Sequence, residues 1–121
     1  MRALTDSERH AILALAAEFK SDVERNQLLA DLDHCAVEEK VPDGSLLVFN
    51  NSGYSRPPGH KQSLYRARDG FPAEGSVKDA DGAEMDVLLF ADQNNRVYEL
   101  EIVKHLPSSV VKADWSTFKV K

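Results

Sequence analysis

Three stretches of the chain carry residue types and spacings that do chemistry in other settings. The first is "DADGAEMD", Asp79 to Asp86, in which aspartates and a glutamate surround Gly82, a composition that suits a hard cation with oxygen ligands. The spacing rejects an EF-hand: with Gly82 at the sixth loop position, Val77 takes the first and Leu88 the twelfth, and neither side chain ligates. A hairpin turn with Gly82 in the left-handed region accounts for the motif. The second is His34 beside Cys35, with Asp31 and Asp33 just before them, a nucleophile and base only if the chain folds back there. A helix end with an acidic face is the preferred reading. The third is Glu99 and Glu101, two positions apart on a strand and hence on one face, near enough for acid and base work. Neither a histidine nor a substrate-binding aromatic accompanies them, so solvated strand acids are the expectation.

The remaining chemistry is thin. The histidines at 10, 34, 60 and 105 never stand four apart on one helix, and the lone Cys35 leaves no C-x-x-C pair. Phosphate-cradling glycine loops and the G-x-S-x-G elbow are missing from the sequence. We therefore expect no catalytic residue, no metal and no cofactor, and a protein that binds rather than catalyses.

The elements that position these acids can be read from capping and periodicity. Thr5 and Glu8 form an S/T-x-x-E capping box ahead of Ile12, Leu15, Ala16 and Phe19 on one helical face. Ser21 and Glu24 repeat the arrangement before Leu28, Leu29 and Leu32, so residues 1–34 read as a helical hairpin. After Cys35 the period becomes that of strands: "AVEEKV" and "LLVFN" flank a "PDGS" turn. "NSGYSRPPGH" is a loop, because Pro57 and Pro58 cannot donate ladder hydrogen bonds, and "KQSLYRAR" is the next strand before the "DGFPAEG" connection. Two further strands meet across an expected two-residue turn at Asn94 and Asn95, pairing Leu89 with Leu100 and Val87 with Ile102. The tail, "SSVVKADWSTFKVK", is a turn or a last edge strand anchored by Trp115 and Phe118. The sum is one α+β domain over 1–121: two N-terminal helices packed on an antiparallel sheet of about five strands, with 35–121 as a β-meander.

That register gives the last hairpin two unlike faces. Met85, Val87, Leu89, Leu100 and Ile102 form the core side. The other side sets Phe90 against Glu99, Leu88 against Glu101 and Asp86 against Val103, and Val97 is expected there too. Either the tail with Trp115 covers this second face, or it is a protein-binding surface. In the second case Leu88 and Phe90 supply desolvation, and Glu84, Asp86, Glu99 and Glu101 supply steering toward a basic partner. Asp31, Asp33, Glu38 and Glu39 make a second candidate acidic patch.

The composition bounds the partners. A 121-residue chain with 42% hydrophobic and 29% charged residues supports one core, and a net charge of −5 argues against general affinity for nucleic acid or anionic membranes. The run from Ala11 to Ala17 lies between Glu8 and Glu18 and is too short to span a bilayer, so a cytoplasmic location is expected. A single cysteine suits a reducing compartment. A competing reading uses the basic segment Arg56, Lys61, Arg66 and Arg68 with Tyr54 and Tyr65 to bind RNA or a phosphorylated ligand.

"KDADGAEMDVLLFADQNNRVYELEIVKHLPSS", a D-G turn, a strand, an acidic turn and a "YELEI" strand closed by lysine, resembles the end of small bacterial immunity-type proteins of polymorphic toxin and contact-dependent growth inhibition systems. The resemblance implies a non-enzymatic cytoplasmic protein that binds and occludes a cognate toxin domain; apart from it, the oligomeric state is left open, with a monomer favoured. The resemblance further implies a toxin of nuclease type, whose basic surface an acidic inhibitor meets in place of phosphates. Where that pattern closes on an aspartate and an apolar-proline pair, this chain has "HLPSS".

Overall fold

The computed structural model describes residues 1–59, 61–65 and 73–121, with backbone alone for 62–64. Helix α1 (Asp6–Ala16) starts where the capping box places it: the Thr5 hydroxyl accepts from the Glu8 amide at 3.1 Å, and the Glu8 carboxylate accepts from the Thr5 amide at 2.9 Å. Helix α2 (Asp22–Asp33) is capped by Ser21, whose hydroxyl accepts from the Glu24 amide at 3.2 Å. Between them Arg25 donates to the carbonyls of Ala16 and Phe19, satisfying groups that the end of α1 leaves open.

The strands are β1 (Cys35–Glu39), β2 (Leu46–Asn51), β3 (Lys61–Leu64), β4 (Glu74–Asp79), β5 (Glu84–Asp92), β6 (Val97–Lys104) and β7 (Ala113–Val120). They form one antiparallel sheet in the order β1-β2-β6-β5-β4-β7. β3 pairs with β5 at Phe90–Asp92 while β4 pairs with it at Glu84–Leu88, so these two strands share one position in the sheet, end to end. The architecture is α+β with two N-terminal helices on an antiparallel sheet, as the sequence indicates. It is a simple meander only from β4 to β6: β2 lies beside β6, and β7 returns to the far side of β4.

One core lies between the helices and the sheet. Ile12, Leu15, Phe19 and Leu28 meet Val37, Leu47, Phe49, Val77, Met85, Val87, Leu89 and Leu100, all of them buried. Helix α1 lies over β7, and Trp115 and Phe118 of that strand pack against the core. Gly75 makes this possible, because a Cβ there would stand 2.5 Å from the Phe118 ring. The tail therefore extends the sheet and points its aromatics inward; it does not cover the second face.

Two tight turns set the register. Gly82 at φ +88° closes the β4–β5 turn and Asn95 at φ +59° the β5–β6 turn. The β5–β6 pairing keeps Leu89 opposite Leu100 and Val87 opposite Ile102, but the turn spans three residues, not two. Asp92 faces Arg96 around Gln93, Asn94 and Asn95, and a bulge between Phe90 and Ala91 absorbs the offset. The same bulge moves Val97 opposite Ala91 and into the core, where it is fully buried, so Val97 is not a member of the second face.

Both sheet edges are blunted. Arg2 pairs its backbone with Val37 on the outer side of β1, at 2.9 and 2.7 Å. β7 carries an irregularity opposite Ser76 and Lys78 and exposes Asp114 and Lys119.

Candidate functional site

Three buried acids, Asp31, Asp79 and Asp92, are committed to the fold. Asp31 on α2, placed by the sequence reading in a surface patch, is only 1% exposed. Its carboxylate accepts from Arg96 Nε at 2.7 Å, from the Val97 amide at 3.1 Å and from Gln27 at 3.1 Å, pinning α2 to the start of β6. Asp92 is likewise enclosed and accepts from the Asn94 and Arg96 amides at 2.9 and 3.0 Å, closing the turn. Asp79, the first acid of the cation-like motif, accepts from Lys104 Nζ at 2.8 Å and from the amides of Ala80 and Lys112, both at 2.7 Å, and Val111 at 2.9 Å. Lys104 also reaches Asp81 at 2.6 Å and the Ser109 carbonyl at 3.1 Å. Burial alone would raise the Asp79 pKa, but these donors outweigh it and hold the carboxyl below the ordinary carboxylate range. The motif works as a clasp that ties the β4–β5 turn to the segment entering β7, with Lys104 as the counter-charge of Asp79 and Asp81.

The His34 and Cys35 pair shows no nucleophile geometry. Cys35 donates to the Leu32 carbonyl at 3.6 Å, and burial with Asp31 nearby pushes its thiol pKa up, away from the reactive thiolate.

The second face of the sheet gathers the other predicted acids. Register places residues in rows across the strands: Glu38, Val48, Glu99 and Phe90 in one row, and Leu46, Glu101, Leu88 and Glu74 in the next. A third row runs Val103, Asp86, Ser76 and Lys119, and Glu84 follows Asp86 on the same side of β5. Apolar and acidic side chains thus alternate across the strands in the first two rows. Leu88, Phe90, Val48 and Val103 are half-buried, Glu84 is exposed, and Glu99 is buried at 7% exposure.

Lysines and a histidine meet the acids of this face. Lys61 Nζ lies 2.8 Å from Glu99 Oε2, 3.3 Å from Glu101 Oε2 and 3.8 Å above the Phe90 ring centroid. Burial tends to lower the Lys61 pKa, but the two carboxylates outweigh it and hold the ammonium charged. At the other end Asp86 is bonded by Lys121 and by His105 Nε2, the latter at 2.7 Å, and both hold its carboxyl below the ordinary range.

Of the second proposed patch, only Glu38 belongs to this face. Glu39 points to the opposite side, where it bonds Arg2 at 2.9 Å. Asp33 pairs with Arg9 at 2.8 Å at the end of α2. The four acids do not converge. The reason is local: strand parity separates Glu38 from Glu39, and helical rotation turns Asp31 inward while Asp33 stays in solvent.

The basic segment behaves differently from its sequence appearance. Arg56 is turned inward, donating to the Phe49 and Val97 carbonyls, pairing with Asp92 at 3.4 Å and lying over the Tyr98 ring at 4.5 Å. Tyr65 is buried, stacked on Phe19 with centroids 4.9 Å apart, and donates its hydroxyl to the Asn95 carbonyl at 3.0 Å. Tyr54 lies beneath Arg96 and accepts from Asn94 at 2.7 Å. Arg66 and Arg68 lie outside the described residues. Sequence reasoning missed the role of Lys61 on the acidic face, and also missed Leu46, Val48 and Glu74, whose place there depends on the order of the strands. The alternation in "LLVFN" was the available signal for Leu46 and Val48.

No helix among the described residues is long and apolar enough to cross a membrane. No curated protein and no solved structure matches the chain. A family model does match, from residue 1 to residue 114, which takes in both helices, β1 to β6 and the clasp at Asp79; the chain thus belongs to the family described as a domain of unknown function, DUF6984.

Proposed function

We propose that the chain is a non-enzymatic, cytoplasmic binding protein of the immunity type, which neutralises a basic toxin domain of nuclease kind by stoichiometric occlusion and needs no cofactor. The observation that carries this reading is the alternation of apolar and acidic side chains over the second sheet face. Leu88, Phe90, Val48 and Leu46 offer desolvation at the centre, while Glu84, Asp86, Glu99, Glu101, Glu74 and Glu38 give orientation and attraction for a basic surface. The net charge of −5 acts in the same direction. The blunted strand edges leave a face, and not an edge, as the surface on offer.

The test uses the domain encoded next to this gene. A neighbouring secreted protein with a C-terminal toxin domain would be expressed with and without this chain, and growth and complex formation measured. Changing Glu84, Asp86 and Glu101 together to their amides is expected to weaken the complex by about tenfold or more, mostly through slower association, with the melting temperature little changed. Full protection by that triple variant would remove this face from the interface.

A further inference from the structure

Glu99 poses a problem that Lys61 solves. Its carboxylate is nearly enclosed on a sheet face rich in apolar atoms, and an enclosed carboxylate must be paired. Lys61 provides the counter-charge from β3, the shortest strand, whose pairing with β5 is irregular between Lys61 and Ser63. The lysine itself remains 40% exposed, and its second carboxylate, Glu101, is 34% exposed and 3.3 Å away. Such a pair exchanges readily, whereas the requirement of Glu99 for a cation is fixed.

Resting on the reading of this face as the binding surface, we infer that Glu99, Glu101 and the Phe90 ring form a subsite for a side-chain cation of the partner protein, which Lys61 fills in the free chain. Two carboxylates and an aromatic face within reach of one ammonium make a pocket selective for cations: a carboxylate would be repelled, and a neutral side chain would leave Glu99 unpaired. An arginine fits better than Lys61, since its planar fork can bond both glutamates while stacking on Phe90. Binding then releases Lys61 to solvent, so the free chain carries its own competitor, and affinity is set by the difference between two cations at one place.

The probe is a fluorescent oligoarginine peptide, titrated at low salt against the full chain. Lys61→Met, which keeps most of the stem over Phe90 and removes the charge, is expected to bind the peptide about tenfold tighter than the parent. Adding Glu99→Gln should abolish that gain. No gain in Lys61→Met, or a gain that survives Glu99→Gln, would overturn the subsite. A second measurement needs no variant: acylation of the Lys61 amine, read by mass spectrometry, should rise as peptide saturates the parent chain, and unchanged or reduced labelling overturns the exchange. The immunity reading fails separately. Tighter peptide binding by a chain that gives no protection against the neighbouring toxin supports the subsite and ends that reading, while protection without any peptide effect does the reverse.

Discussion

The β5–β6 hairpin presents the same two strands to two different surroundings. On one side Met85, Val87, Leu89, Leu100 and Ile102 are buried under the helices, with Val87 opposite Ile102 and Leu89 opposite Leu100. On the other side every apolar residue faces an acid across the ladder: Phe90 opposite Glu99, Leu88 opposite Glu101, Val103 opposite Asp86. The difference shows two uses of a carboxylate. Asp31, Asp79 and Asp92 are enclosed and met by amides and fixed cations, so they serve the fold. Asp86, Glu99 and Glu101 are met by partly exposed lysines and a histidine, the pairs that the proposed partner would exchange.

The largest break in this comparison comes from matched truncations. Leu89→Ala should cost about 3 kcal/mol in chemical denaturation, because the residue is fully buried and its truncation leaves a cavity in the core. Leu88→Ala, one residue away on the other face, should cost about 1 kcal/mol and act on partner binding instead. Equal losses would mean that the second face is a core face. Next is Asp31→Ala, expected to destabilise by about 2–3 kcal/mol, since it strands Arg96 and the Val97 amide, though Arg96 is partly solvated.

The smallest effect concerns acid. Asp79 titrates below the ordinary range in the native state, so the unfolded chain binds the proton more readily, and stability falls with pH once it drops below about 4. The advantage of the parent over Asp79→Asn, measured as a melting-temperature difference, should be full above about pH 5 and shrink toward pH 3. A difference constant over that range would show that the charge of Asp79, as distinct from its shape, contributes nothing.

Much of this molecule was legible from residue order. Thr5 with Glu8 and Ser21 with Glu24 marked the two helix starts, since capping is settled within four residues. The pairing of Leu89 with Leu100 followed from strand parity. The turn at Asn95 is one residue longer than the two-residue turn read from the sequence, because a bulge costs little locally and is chosen by what it buries, here Val97.

The sequence by itself determined the class of fold, the helix caps, the hairpin register and the two-faced character of β5 and β6, because each depends on neighbours close along the chain. Only the tertiary structure decided which acids are enclosed by the fold and which stay on the second face. Asp31 meets Arg96 and Asp79 meets Lys104 across tens of residues. The rows of the second face require β2 to lie beside β6, and Lys61 reaches Glu99 only because β3 shares the side of β5 that β4 occupies. Charge is a property of a residue, whereas its availability is a property of what the fold sets beside it.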